Sequence, residues 1–161
     1  MFSRTKQNVL KASVLALALG TLAHGGGYWL EFANPSASTE PAARGAIALV
    51  RAVGCGEPSK STVTASAEGL VKGERKSVPL QVVSLSSPGV YALKGDLPGD
   101  GAWVLSVSGT YLSASAGAIV PVTPNGFERK KAKLSQHTPL RADIDALLSG
   151  MAAPKETAKK D

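Results

Sequence analysis

From Gly45 to Thr123 apolar side chains recur at every second position in short runs, and clusters of turn-forming residues separate the runs about every ten residues. Successive side chains of an extended chain point to opposite faces, so this period sends one set inward and leaves the other in water. In Ala102 to Thr110 (AWVLSVSGT), Trp103, Leu105 and Val107 share one face while Ser106 and Ser108 share the other. In Ser61 to Glu68 (STVTASAE), Val63, Ala65 and Ala67 oppose Thr62, Thr64 and Ser66. Further strands are expected at Ala46 to Val53, Ser77 to Val83, Val90 to Lys94 and Ala116 to Thr123, with Pro79 placing its strand at an edge or bulge. Glu68 to Arg75, which contains two glycines, reads as a connection, and SSPG and GDLPGDG read as turns. With 17 Gly, 10 Pro and no helical period in this region, the pattern predicts an all-β fold: a small antiparallel immunoglobulin-like β-sandwich over 44–124. A small open barrel is the alternative. Trp103 is the expected core anchor, because a buried aromatic of this size contributes on the order of 3 kcal/mol.

The flanking segments follow other rules. Arg4, Lys6 and Lys11 precede the apolar run Ala12 to Ala23 (ASVLALALGTLA), the order of a secretory signal over 1–23. Thr21 and Ala23 supply the small residues for cleavage after Ala23, with Ala18 and Gly20 as a second choice. The rival reading is a retained N-terminal anchor reaching about residue 30, with Tyr28 and Trp29 at the far membrane interface. Either reading puts the folded part outside the cytoplasm: exported, periplasmic or secreted, or anchored in the inner membrane and facing the periplasm. The formal charge of +6 falls to +3 once the three leader cations are removed. Residues 24–43 (HGGGYWLEFANPSASTEPAA) read as a flexible linker whose aromatics could still pack on the domain, and 125–137 as a basic linker. Leu140, Ile144, Leu147, Leu148 and Met151 form the stripe of an amphipathic helix over 138–151, with Thr138 as cap and Pro139 as first helical residue. A helix this short must dock, either on its own sandwich or on a protein partner. Residues 152–161 read as a disordered tail.

Few residues advertise chemistry. No serine lies in a Gly-x-Ser-x-Gly elbow. His137, between a basic run and a helix cap, reads as a solvated loop residue. Asp96 and Asp100 bracket a turn that Asp and Gly favour on their own account, and are too few to make a calcium site. Asp143 and Asp145 lie two apart on a helix and face different directions, so they form no acid–base pair. Cys55 is the single cysteine, which excludes an internal disulfide and leaves a buried thiol or an intermolecular bond. Cleavage after Ala23 exposes His24 as an N-terminal amine with its own imidazole, which with His137 makes a minimal copper-binding set. Arg129, Lys130, Lys131 and Lys133 offer weak contact to an anionic surface; nothing points to nucleic acid.

The stretches AIALVRAVGCGEP, TASAEGLVKGERKSVPL, SPGVYAL and GAWVLSV, within Ala46 to Val107, resemble uncharacterised secreted bacterial proteins with one small immunoglobulin-like domain. GAWVLSV is also similar to copper-resistance and YtkA-like β-sandwich domains, where Gly-x-Trp followed by alternating apolar residues is a core strand. The resemblance covers about half the chain and implies fold. The Met- and His-rich copper ligands of those domains have no counterparts here, where the methionines are Met1 and Met151 and the histidines are far apart. The expectation is an exported, non-catalytic β-sandwich without cofactor, with a binding or assembly role at the bacterial cell envelope. Its partner contact would be the helix stripe, and a membrane contact arises only if the N-terminal segment is retained. The alternatives are a periplasmic copper-handling domain using His24 with His137, and an enzyme whose site escapes motif reading.

Overall fold

The computed structural model describes residues 27–54, 56–99 and 101–152. The leader, His24, Cys55, Asp100 and most of the C-terminal tail therefore lie outside the described residues. Within them the chain folds as an all-β sandwich of two antiparallel sheets carrying one short helix. One sheet is ordered β1 (Trp29–Ala33), β2 (Ala48–Val53), β6 (Val90–Lys94), β5 (Gln81–Ser84). The other is ordered β10 (Lys133–Ser135), β8 (Ala114–Thr123), β7 (Ala102–Tyr111), β3 (Thr62–Val71), β4 (Glu74–Pro79), with the two-residue β9 (Gly126–Phe127) also pairing with β8. Taken in chain order, β1-β2-β6-β5 against β8-β7-β3 is the ABED and GFC arrangement of an immunoglobulin sandwich, extended at its edges by β4, β9 and β10.

The period-two pattern decides what lies between the sheets. Leu30, Phe32, Ala48, Val50, Ala52 and Leu93 from the first sheet meet Ala67, Trp103, Leu105, Val107, Ala118 and Val120 from the second. Trp103 is 4% exposed and lies across Gly69, its cross-strand neighbour on β3, where an added Cβ would approach the indole to 2.6 Å. Its Nε1–H donates to the Pro98 carbonyl at 3.0 Å, so the GDLPGDG loop satisfies the polar end of the ring that the core buries.

Several segments depart from the sequence reading for local reasons. Residues 24–43 do not behave as a linker throughout. WLEFA pairs antiparallel with β2, and Tyr28, Leu30 and Phe32 are all buried, because three aromatic or large apolar residues at alternate positions fill the core beside Gly109. Tyr28 and Leu30 thus belong to the core of the sandwich. Among the described residues no helix is long and apolar enough to cross a membrane.

Glu68 to Arg75 is likewise no open connection. Strands β3 and β4 continue to a two-residue turn at Lys72 and Gly73, whose φ angles of 52° and 83° are those of a tight hairpin. Pro79 ends edge strand β4, and at Leu80 the chain crosses to β5 in the other sheet. Pro121 sits inside β8 at the gap between the stretch paired with β10 and the stretch paired with β9. Its carbonyl there accepts from the Glu128 amide at 2.8 Å, and no partner needs the proton that proline lacks.

The basic stretch 125–137 is also structured, holding β9, a 3-10 turn at Arg129–Lys131 and β10. The helix α1 (Arg141–Ala152) begins later than expected, its first carbonyl acceptor being Leu140 rather than a Thr138 cap. Residues 135–139 are held flat on β8 at Gly117, where an added Cβ would meet the Pro139 ring at 2.7 Å. Ile144 and Leu148 of α1 are buried against Val104 and Ile119 on the outer face of the second sheet, with Leu147 and Met151 packed alongside. The stripe is therefore covered by the domain itself, apart from Leu140, which is 55% exposed.

Candidate functional site

The outer face of the first sheet is only partly covered. Ala43 packs on Leu49 and Ala92, so the segment after β1 folds back over one half of that face. Asn34 starts the return: its side-chain oxygen accepts from the Ser36 amide at 3.0 Å and the Ser36 hydroxyl at 2.9 Å, capping a 3-10 turn at Pro35–Ala37. Glu40 then fastens the segment to the β5–β6 turn, accepting from the Ser86 amide and the Ser86 hydroxyl, each at 2.8 Å. The uncovered part is a cleft of about 580 Å³, with Leu49, Arg51 and Val90 as floor, Ser38 to Glu40 and Leu85 to Ser87 as walls, and Arg129 at the rim. That volume lies within the range of small-ligand sites.

The charges in the cleft are ordered by strand register. Glu31 and Arg51 are directly opposite on β1 and β2, and both point outward. The Arg51 guanidinium donates from Nη2 at 2.5 Å and from Nε at 3.2 Å to Glu31 Oε2, while Trp29 Nε1–H donates to Oε1 at 3.4 Å. The hydrogen bond from Arg51 comes first among the causes that hold the Glu31 carboxyl below its ordinary range; the bond from Trp29 and the positive fields of Arg51 and Arg129 add to it against a small opposing effect of burial. Glu31 is thus an ionised acceptor near neutral pH, paired with Arg51 at the surface of the sheet.

A second polar cluster serves the fold. Glu68 accepts from Ser77 at 2.7 Å, Ser66 at 2.8 Å and Arg75 at 3.1 Å, and Arg75 also pairs with Asp145 of α1. Burial pushes the Glu68 carboxyl up, but the hydrogen bonds from Ser77, Ser66 and Arg75, with the charge of Arg75, outweigh it, and the net direction is down. Asp145 is committed to Arg75, with Arg141 a further 3.8 Å away, and takes no part in a pair with Asp143.

The residues singled out from sequence are dispersed. His137 is exposed, with Nδ1 2.8 Å from the Thr138 carbonyl, and its intended partner His24 lies outside the described residues. Among the described residues no group of three or more His, Cys, Asp or Glu is placed to hold a metal. Asp96 lies exposed in the loop that caps Trp103, and Asp100 is outside the described residues. The basic run does not form one patch. Arg129 reaches the cleft, Lys131 pairs with Glu128 at 2.6 Å, and Lys133 lies on the opposite sheet near His137 and Asp143. Sequence reasoning missed Glu31 and Arg51, whose usable signal was one charge in each of two otherwise apolar alternating runs.

No family model, curated protein or solved structure matches the chain, so the site stands on its own geometry.

Proposed function

We propose that the chain is an exported, non-catalytic binding module of the bacterial cell envelope, and that it takes its ligand in the cleft over β1 and β2. The leader pattern of residues 1–23 supports export. The observation that carries the binding role is the Glu31–Arg51 pair: an ionised carboxylate and a guanidinium set opposite each other by strand register, open to solvent in a cleft with Arg129 at its rim. Charges held in place before the ligand arrives lose little freedom on binding, which is what a recognition site needs. The helix stripe is a weaker place for a partner, since Ile144 and Leu148 already face the domain's own sheet.

The test compares the full chain with Ser87→Trp, which fills the cleft from an exposed turn, in fractionated cells. The expected result is wild-type protein retained in the envelope fraction and the variant released, with matching thermal unfolding midpoints. Recovery of the wild type from the cytoplasm with Met1 intact, or equal retention of both proteins, would overturn the reading.

A further inference from the structure

Resting on that reading of the cleft, we propose that its ligand is a carboxylate-bearing saccharide, the sugar-acid unit of an acidic glycan, held by Arg51 and Arg129. The cleft residues include two arginines, Arg51 and Arg129, and two glutamates, Glu31 and Glu40. The two glutamates offset the two arginines, and Glu40 is occupied by Ser86, so the donors open to an anionic ligand are those the two guanidiniums have left over. A guanidinium offers five N–H donors. Arg51 directs Nε and Nη2 at Glu31, which leaves donors to fork onto a second carboxylate.

The rest of the lining suits a ring dense in hydroxyls. Ser38, Thr39 and Ser87 face the cleft, and the Glu31 carboxylate accepts from hydroxyl donors. Trp29, 36% exposed, stands beside the charged pair outside the cleft lining and holds the Glu31 carboxylate through its indole N–H.

The experiment titrates the full chain with galacturonate and glucuronate trisaccharides, their methyl esters and a neutral galactose trisaccharide, following amide shifts and heats of binding. The expected result is binding of an acid form about tenfold tighter than its ester. Shifts should centre on Glu31, Arg51 and Val90, and Arg129→Gln should abolish the preference without moving the unfolding midpoint. Equal affinity for acid and ester, no binding of any probe, or a preference untouched by both Arg129→Gln and Arg51→Gln would overturn the proposal. Envelope retention that still depends on the cleft in the Ser87→Trp comparison would then leave the binding-module reading standing. Retention indifferent to Ser87→Trp would remove both.

Discussion

Gly69 and Trp103 show how one missing Cβ shapes the core. The indole occupies the space that a side chain at position 69 would take, and its N–H reaches back to Pro98. Gly69→Ala should destabilise the domain by about 1–3 kcal/mol through overpacking, and Trp103→Ala by about 3–5 kcal/mol through the cavity it leaves. Combining Gly69→Ala with Trp103→Leu should cost less than the losses of Gly69→Ala alone and Trp103→Leu alone added together, because the smaller side chain relieves the clash. Urea unfolding of the four proteins checks this, and strict additivity would contradict the packing. Glu68 makes a different prediction at the same scale. Its carboxyl lies below the ordinary range in the folded state, so its ionised form stabilises the fold above the unfolded-state pKa, and that contribution disappears as pH falls through the folded value. Glu68→Gln should therefore be less stable than wild type near neutral pH, with the gap closing in acid. A gap that widens in acid would show that Glu68 is not held by Ser66, Ser77 and Arg75 as described.

At the scale of elements, α1 is held by two buried side chains and one ion-pair bridge. Leu148→Ala should lower stability by about 2–5 kcal/mol. Arg75→Ala, which releases both Glu68 and Asp145, should cost about 1–3 kcal/mol. Hydrogen exchange then distinguishes a helix that detaches alone from a sandwich that unfolds: Arg75→Ala should speed exchange in Arg141–Ala152 more than in β7. Long strands were the legible elements. β7 and the start of β3 alternate over enough residues for the period to stand out, and the burial of Trp103 followed from it. The stripe on α1 was equally clear, but whether it faces its own sheet or a partner depends on Val104 and Ile119, whose place beneath the helix only topology reveals. The short edge elements were not legible. WLEFA has five residues between a glycine run and a proline-rich return, and β10 has three inside a run of cations, too few for a period to emerge. Gly69 looked like punctuation because nothing local distinguishes a glycine that turns the chain from one that makes room for an indole across the sheet.

For the whole molecule, the sandwich divides its two outer faces between different tasks. α1 closes part of one, and the segment after β1 half-closes the other, leaving the charged cleft. The cleft escaped sequence reasoning because Glu31, Arg51 and Arg129 come from three distant parts of the chain and meet only when β1 is in place. Deleting 138–161 should therefore lower the unfolding midpoint while leaving cleft-dependent envelope retention intact at temperatures where the truncated domain is folded. Loss of retention without loss of stability would move the binding surface to the helix. All of this depends on Trp29–Ala33 being a strand of the domain, and the most direct measurement is a nuclear Overhauser spectrum of the full chain. Cross-peaks between the Tyr28 ring and the Gly109 α-protons, together with cross-strand peaks between Glu31 and Arg51, are the expected result. Their absence, with fast amide exchange throughout 28–33, would mean that this segment is loose and that the cleft does not exist.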